Sequence, residues 1–365
     1  MKNRGPRGAI TAILVLGVII FVGVYFAWST ATNAFQPVSS GTSPNVEVQI
    51  RPDETTQQIA DDLANKHIIR NAFTFRIWAR IKGLDTRLQA GVYTNINASM
   101  TIDQIVSNLL SNSPDQFLVS VPEGLRVEEI AQRFAANPNL AKFSAKDFLK
   151  YTKNPKSFPD AAQFPILKSI PDNGTMDGLL FADTYAVPAT GTARQIIDQM
   201  LTEYSTAIST NGLVAKAKAN QMTTYQMTIL ASMVEKEVVH RSDSPGVAGV
   251  YWNRVFRPNN ETVGFMNSDP SVAYARGVRP GTKDQYWGQL GDTGGNIAPN
   301  SPWNTYTHKG FPPTPICSVS LSSLEAAASP TKSDYYYFLS IPSGKVLYTK
   351  TLQEFTNLAN QYNVH

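Results

Sequence analysis

The 365-residue chain contains one cysteine, Cys317, so no disulfide can form within it. A lone thiol of this kind reads as a small core hydrophobe, not a nucleophile. Histidine is also scarce. His67, His240, His308 and His365 share no ligand spacing with one another or with acids, which argues against a zinc site. No acid occurs before Glu47, and no basic run occurs anywhere. The formal charge of +4 owes most to Lys2, Arg4 and Arg7, leaving the remainder nearly neutral. A phosphate-tracking surface for nucleic acid is therefore not indicated.

What the chain does have is one long apolar run. Ala9 to Trp28 spans 20 residues without a charge, enough to cross a bilayer. The basic residues before it predict a cytoplasmic tail over residues 1–8 and a single-pass transmembrane helix over residues 9–28. A cleaved signal peptide has an apolar region of only about 7–15 residues, and Ser29-Thr30-Ala31 is a weak cleavage site. Residues 29–44, rich in Ser, Thr and Pro, read as a flexible spacer off the membrane. The chain is 42% hydrophobic and 16% charged, as folded domains are, and its bulk is expected outside the cytoplasm.

Val46-Glu47-Val48-Gln49-Ile50 alternates as a half-buried strand does. A turn at Arg51-Pro52-Asp53 leads to a helix burying Ile59 and Leu63. Asn71 reads as the N-cap of a second helix, Ala72 to Ile81. A return strand at Gln89 to Tyr93 and a helix from Thr101 to Leu110 complete a strand–helix–helix–strand unit. This pattern, over residues 45–115, resembles a LysM-like module, a fold that binds N-acetylhexosamine chains. Val121-Pro122-Glu123-Gly124, Ile130-Ala131 and Phe134-Ala135 echo the opening strand, turn and helix with one residue inserted. Residues 138–180 show little period and read as surface connections. Asp198 to Ala207 is expected to be helical, Tyr335 to Thr349 a hairpin about Pro342-Ser343-Gly344, and a last helix starts near Thr351.

The segment Thr223 to Val238 carries the strongest chemical signal. Thr223 and Gln226 have capping-box spacing, and Met227, Leu230, Met233 and Val234 form the apolar stripe of a core-facing helix. The next position on that stripe is Glu237. At about 100° per residue it lies within roughly 20° of Leu230, whereas Glu235 and Lys236 point away. A carboxyl on an apolar face is costly to ionise, so its pKa rises, which is how a general acid is made for neutral pH. The bland alternative is a solvated Glu-Lys-Glu last turn.

Further along come Tyr251-Trp252-Asn253-Arg254, Asn267-Ser268-Asp269-Pro270-Ser271, Asn304-Thr305-Tyr306, Gly310-Phe311-Pro312-Pro313-Thr314-Pro315-Ile316 and Ala326-Ala327-Ala328-Ser329-Pro330. Together with Ala231-Ser232-Met233-Val234-Glu235-Lys236-Glu237, their order and spacing resemble the endolytic murein transglycosylases, the YceG-like family. The resemblance implies an α+β protein. An N-terminal transmembrane helix and the LysM-like module would precede a mixed α+β catalytic domain over residues 116–365. It implies an enzyme that cuts inside peptidoglycan glycan strands without metal or organic cofactor, with the second Glu of Glu-Lys-Glu, here Glu237, as acid. Penicillin-binding synthases are the implied partners.

Supporting roles follow from the same motifs. Asn253, Asn304 and Tyr306 are read either as groups orienting the sugar or as a buried polar network. Ser268 stands beside Asp269 as a substrate contact; Asp269, preceding Pro270, reads as a cap or an electrostatic partner. Arg254 is a scaffold candidate, paired with Glu235 or Asp269. Trp252, Tyr274, Trp287 and Trp303 are candidates for a sugar groove. Three departures from the family pattern stand out: Ala182 for a Pro, Asn267 for Gln, and Glu354-Phe355-Thr356 for a common Glu-His-Asn. Two rivals remain: a non-catalytic peptidoglycan-binding scaffold, and a hydrolase with Asp243 or Asp269 as second carboxylate.

Overall fold

The computed structural model describes residues 33–84, 89–111, 114–279, 281, 285–288 and 297–364. The tail and apolar run expected over residues 1–28 lie outside them. Among the described residues no helix is long and apolar enough to cross a membrane. The chain divides into two units, one comprising residues up to Leu118 with Ala186–Ala189, the other Val119–Tyr185 with Thr190–His365.

In the first unit, β1 (Val46–Ile50) turns through Asp53, at φ 65°, into α1 (Thr56–Asn65). Thr55 and Gln58 close a capping box at its start, and Ile59, Ala60 and Leu63 face the core. The Asn71 side chain accepts from Thr74 N at 3.0 Å and starts α2 (Ala72–Ile81), which buries Phe75 and Ala79. β2 (Gly91–Ile96) returns antiparallel to β1, with Val48 opposite Tyr93, and α3 (Ile102–Ser111) follows. Gly91 is required where it stands, because a Cβ there would lie 2.4 Å from the Gln116 carbonyl oxygen and from Pro114. The sheet runs β1–β2–β3–β4, this unit's share of the last two being Gln116–Leu118 of β3 (Gln116–Val121) and Ala186–Pro188 of β4 (Asp183–Pro188). The unit is thus the expected strand–helix–helix–strand pattern.

The stretch expected as a spacer is anchored from Phe35 onward. The Phe35 ring meets Trp78 edge-on at 5.5 Å, Arg70 donates to the Pro37 and Val38 carbonyls, and Ser39 N donates to Ala98 O.

In the second unit, Gly124 at φ 81° turns the chain into α4 (Val127–Ala135), the echo of the first strand–turn–helix. Residues 138–180 differ from expectation. They hold α5 (Ala145–Lys153) and three short 3₁₀ turns, and they bury Phe148, Phe158, Phe164, Leu167, Met176 and Leu180. Single turns bury apolar residues without generating a helical period, so periodicity misses them. α6 (Ala193–Thr210) exceeds its predicted bounds and is followed by α7 (Leu213–Ala219).

α8 (Thr224–Glu237) is the central element. Its capping box has Gln226 N donating to Thr223 Oγ1 at 3.1 Å and Thr223 N to Gln226 Oε1 at 2.9 Å, a motif whose loss costs about 1 kcal/mol. Every residue from Met227 to Val234 is buried, so the helix is enclosed on all sides rather than on one stripe. The two hydroxyls within that stretch are satisfied: Thr228 donates to Thr224 O, and Ser232 accepts from Ile316 N. Against it pack α9 (Ser244–Phe256), α10 (Asp269–Arg276) and α11 (Leu321–Ala328). The C-terminus forms the expected hairpin, β5 (Tyr337–Ser340) with β6 (Val346–Thr349), and then α12 (Leu352–Tyr362), capped by Thr351. Cys317 is buried, as its reading required.

Candidate active site

The three charged residues closing α8 have three different surroundings. Glu235 accepts from Ser320 N and Oγ at 2.9 and 2.7 Å, tying α8 to the cap of α11. Lys236 stands 4.1 Å over the Trp287 ring. Glu237 alone of the three enters a cleft of about 300 Å³, whose lining includes Tyr251, Arg254, Asn267, Asp269, Tyr306, Tyr337, Phe338 and Phe355. The last turn is therefore not a solvated end.

Two hydroxyls converge on one oxygen of Glu237. Tyr251 OH donates to Oε1 at 2.5 Å, and Ser268 Oγ donates to the same atom at 2.9 Å. Among the described residues no hydrogen bond falls on Oε2. Burial raises the Glu237 pKa above its ordinary value, and the two hydroxyl bonds offset this only in part. Asp269 adds to the rise, while the Arg254 charge opposes it.

Ser268 is fixed by its neighbours. Its N–H donates to Thr305 Oγ1 at 3.0 Å, its carbonyl accepts from Ser271 Oγ at 2.7 Å, and Ser271 and Thr305 share a hydrogen bond. Asn267 precedes it at φ 50°, a left-handed conformation that Asn tolerates better than most residues. That is a local reason for Asn at this position. Asp269 begins α10 and accepts from Tyr306 OH at 2.8 Å. Asn304 is buried, donates to Ile297 O and accepts from Tyr306 N, so it shapes the loop that presents Tyr306.

Glu237, Ser268, Asp269 and Tyr306 therefore meet, with Asn304 behind them. Asn253 and Tyr274 lie elsewhere. The Asn253 amide is buried and donates to the Ser333 and Tyr335 carbonyls. Tyr274 donates to Asp177 at 2.7 Å, and its ring supports the Arg126 guanidinium at 4.7 Å. Trp287 also flanks Arg126, Trp303 donates to Thr314, and Trp252 donates to Asn220 O. These four aromatics hold loops and helices together, while the cleft's own aromatic wall comes from Tyr251, Tyr306, Tyr337, Phe338 and Phe355. Arg254 pairs with neither Glu235 nor Asp269. It donates to the Tyr336 and Met266 carbonyls and lies 5.1 Å from the Tyr337 ring centre. Asp243 is absent from the cleft lining.

Sequence reasoning missed Tyr251 and the C-terminal wall. A signal for Tyr251 existed, since it shares a helix face with Arg254 at i, i+3. The wall had one signal too: Phe355 is the residue replacing the family's common His.

The YceG-like family model matches residues 48–361, the greater part of the chain. The chain belongs to the YceG-like family. A Bacillus subtilis (strain 168) relative named endolytic murein transglycosylase is 28% identical over 336 residues, covering 90% of this chain and 87% of its own. A relative of the same name from Streptococcus pneumoniae is 27% identical over 374 residues, and the match spans 98% of this chain but 66% of that protein. The crystal structure of a yceG-like protein of Listeria monocytogenes superposes with a TM-score of 0.57 at 29% identity, covering 86% of this chain and 98% of that one.

Proposed function

We propose that this protein is an endolytic lytic transglycosylase that cleaves the MurNAc–GlcNAc linkage within peptidoglycan strands, with Glu237 as acid and then base. The observation that carries the reading is a cleft-lining carboxyl whose pKa is raised by desolvation and whose two hydroxyl donors both fall on Oε1, leaving Oε2 without a protein donor among the described residues. Protonated Oε2 gives its proton to the glycosidic oxygen as the C1–O bond breaks. The carboxylate formed takes the proton from the C6 hydroxyl of the same MurNAc as that oxygen bonds to C1. The products are a 1,6-anhydroMurNAc end and a free hydroxyl on the leaving GlcNAc. The nucleophile is part of the substrate, so its effective concentration is high and one carboxyl suffices.

Glu237→Gln tests the assignment. Mass spectrometry of purified glycan strands is expected to find anhydro-ended fragments with the natural protein and none with the variant. Equal cleavage by both would remove Glu237 from the chemistry. A second reading has one supporting observation: Asp269 lines the same cleft, so a paired-carboxylate hydrolysis is geometrically conceivable. Reducing ends among the products would favour it.

The larger setting is proposed on the same footing. The first unit's strand–helix–helix–strand order supports a LysM-like glycan-binding role. The uncharged run Ala9–Trp28 supports a single-pass anchor with the N-terminus cytoplasmic and the catalytic unit outside. Family analogy supports a role in terminating nascent strands beside penicillin-binding synthases. Capture of such a synthase by the anchored protein, absent for a version lacking residues 1–28, would test that setting.

A further inference from the structure

Among the described residues, nothing covers the outer face of α2. Phe73, Ile77 and Ile81 are 61%, 43% and 67% exposed, far more than large apolar side chains need be. Spaced at i, i+4 and i+8, they form one stripe about 80° wide, opposite the Phe75 and Ala79 that bind the helix to its core. Arg76 and Arg80 border the stripe, with Arg76 over the Phe73 ring at 5.6 Å, and the helix carries no acid. Apolar residues edged by arginine on a single helix face suit a bilayer interface carrying anionic headgroups.

The position of this face along the chain selects that occupant. Trp28 ends the apolar run, and Phe35, seven residues later, packs edge-on against Trp78 of α2 itself. Arg70, just before α2, holds the Pro37 and Val38 carbonyls. Seven residues span at most roughly 25 Å even fully extended, so a chain leaving the bilayer at Trp28 keeps α2 within that distance of its surface. We propose that α2 lies in the membrane interface, with Phe73, Ile77 and Ile81 inserted among lipid and Arg76 and Arg80 at the anionic headgroups. This rests on the reading of Ala9–Trp28 as an anchor.

The test uses the full chain with Cys317→Ala, reconstituted in vesicles of phosphatidylcholine and phosphatidylglycerol. An environment-sensitive fluorophore is placed singly through Ile77→Cys, Ile81→Cys, Val18→Cys within the apolar run, and Asp61→Cys on the exposed side of α1. The expected result is quenching at 77, 81 and 18 several-fold stronger by nitroxide-bearing lipids than by aqueous iodide, and the reverse at 61. Iodide quenching at 77 and 81 beside lipid quenching at 18 would overturn the interfacial face while keeping the anchor, leaving the stripe to a protein partner. Iodide quenching at 18, 77 and 81 would overturn both. Lipid quenching at 77 and 81 alone would keep the face and overturn the anchor.

Discussion

Glu237 and Asp177 are both carboxyls of the second unit with raised pKa values, and each accepts a tyrosine hydroxyl. Asp177 accepts from Val127 N at 2.9 Å on Oδ1, and from Thr175 Oγ1 and Tyr274 OH at 2.5 and 2.7 Å on Oδ2. Burial pushes its pKa up to about 6, with Glu128 adding to the rise. In direction of shift the two residues are alike, although Asp177 is fully enclosed and Glu237 is partly exposed. They differ in where the donors fall. Asp177 has both oxygens engaged by protein, and its neighbours are helix starts and packed rings. Glu237 has both donors on Oε1 and stands at a cleft. A raised pKa marks either a buried structural acid or a catalytic one; a carboxyl oxygen left for substrate distinguishes them.

The sharpest way to break this comparison is Glu237→Gln, which keeps shape and removes the proton donor. Activity on glycan strands should fall about 10³-fold, within the range for a general acid–base group, with the unfolding midpoint little changed. Tyr251→Phe comes next. It removes a donor that favours the carboxylate, so the Glu237 pKa rises further and the protonated acid persists to higher pH. We expect turnover to fall on the order of tenfold through lost orientation, with the alkaline limb of the pH–rate profile displaced upward. A merely structural role for Tyr251 would lower activity without moving that limb.

Phe355→His, which restores the family's common residue in the cleft wall, should matter less. Losing one apolar contact at the rim should raise KM by a few-fold with turnover and product ends unchanged; steady-state kinetics on defined strands checks this. Asp177→Asn should leave turnover per folded molecule unchanged, lower stability because an amide nitrogen cannot accept from Thr175 and Tyr274, and flatten the pH dependence of stability. The folded carboxyl titrates near 6 instead of its ordinary 3.8. Its contribution is therefore fully present below about 3.8 and lost as pH rises through about 6, an effect on the order of 2–3 kcal/mol. Denaturant unfolding at pH 4 and pH 7 should show a smaller decline in the variant than in the natural protein.

Much of the fold was legible because its cues are local. Asn71 and Thr223 cap helices where expected, the last helix starts at Thr351 as expected, and the Pro342–Gly344 turn joins the hairpin. The stripe that pointed to Glu237 was only partly legible, since α8 is buried all round from Met227 to Val234 and phase alone does not set Glu237 apart from Glu235. Two things were not legible at all. The 3₁₀ turns of residues 155–169 bury apolar residues without a period. The cleft wall brings Tyr337 and Phe355 to Glu237 across a hundred residues of chain, and periodicity reports only whether a residue is buried. The same limit explains Tyr274, expected to line the sugar groove, and Asn253, expected to orient the sugar or join a buried network: their partners proved to be Asp177 and two carbonyls.

The most direct test of single-carboxyl chemistry is cleavage of glycan strands in ¹⁸O-labelled water, followed by mass spectrometry of the new ends. An intramolecular attack by the C6 hydroxyl predicts anhydro ends carrying no solvent oxygen. Solvent ¹⁸O at C1 of newly formed reducing ends would mean that water is the nucleophile, and would contradict the role assigned to Glu237 acting alone.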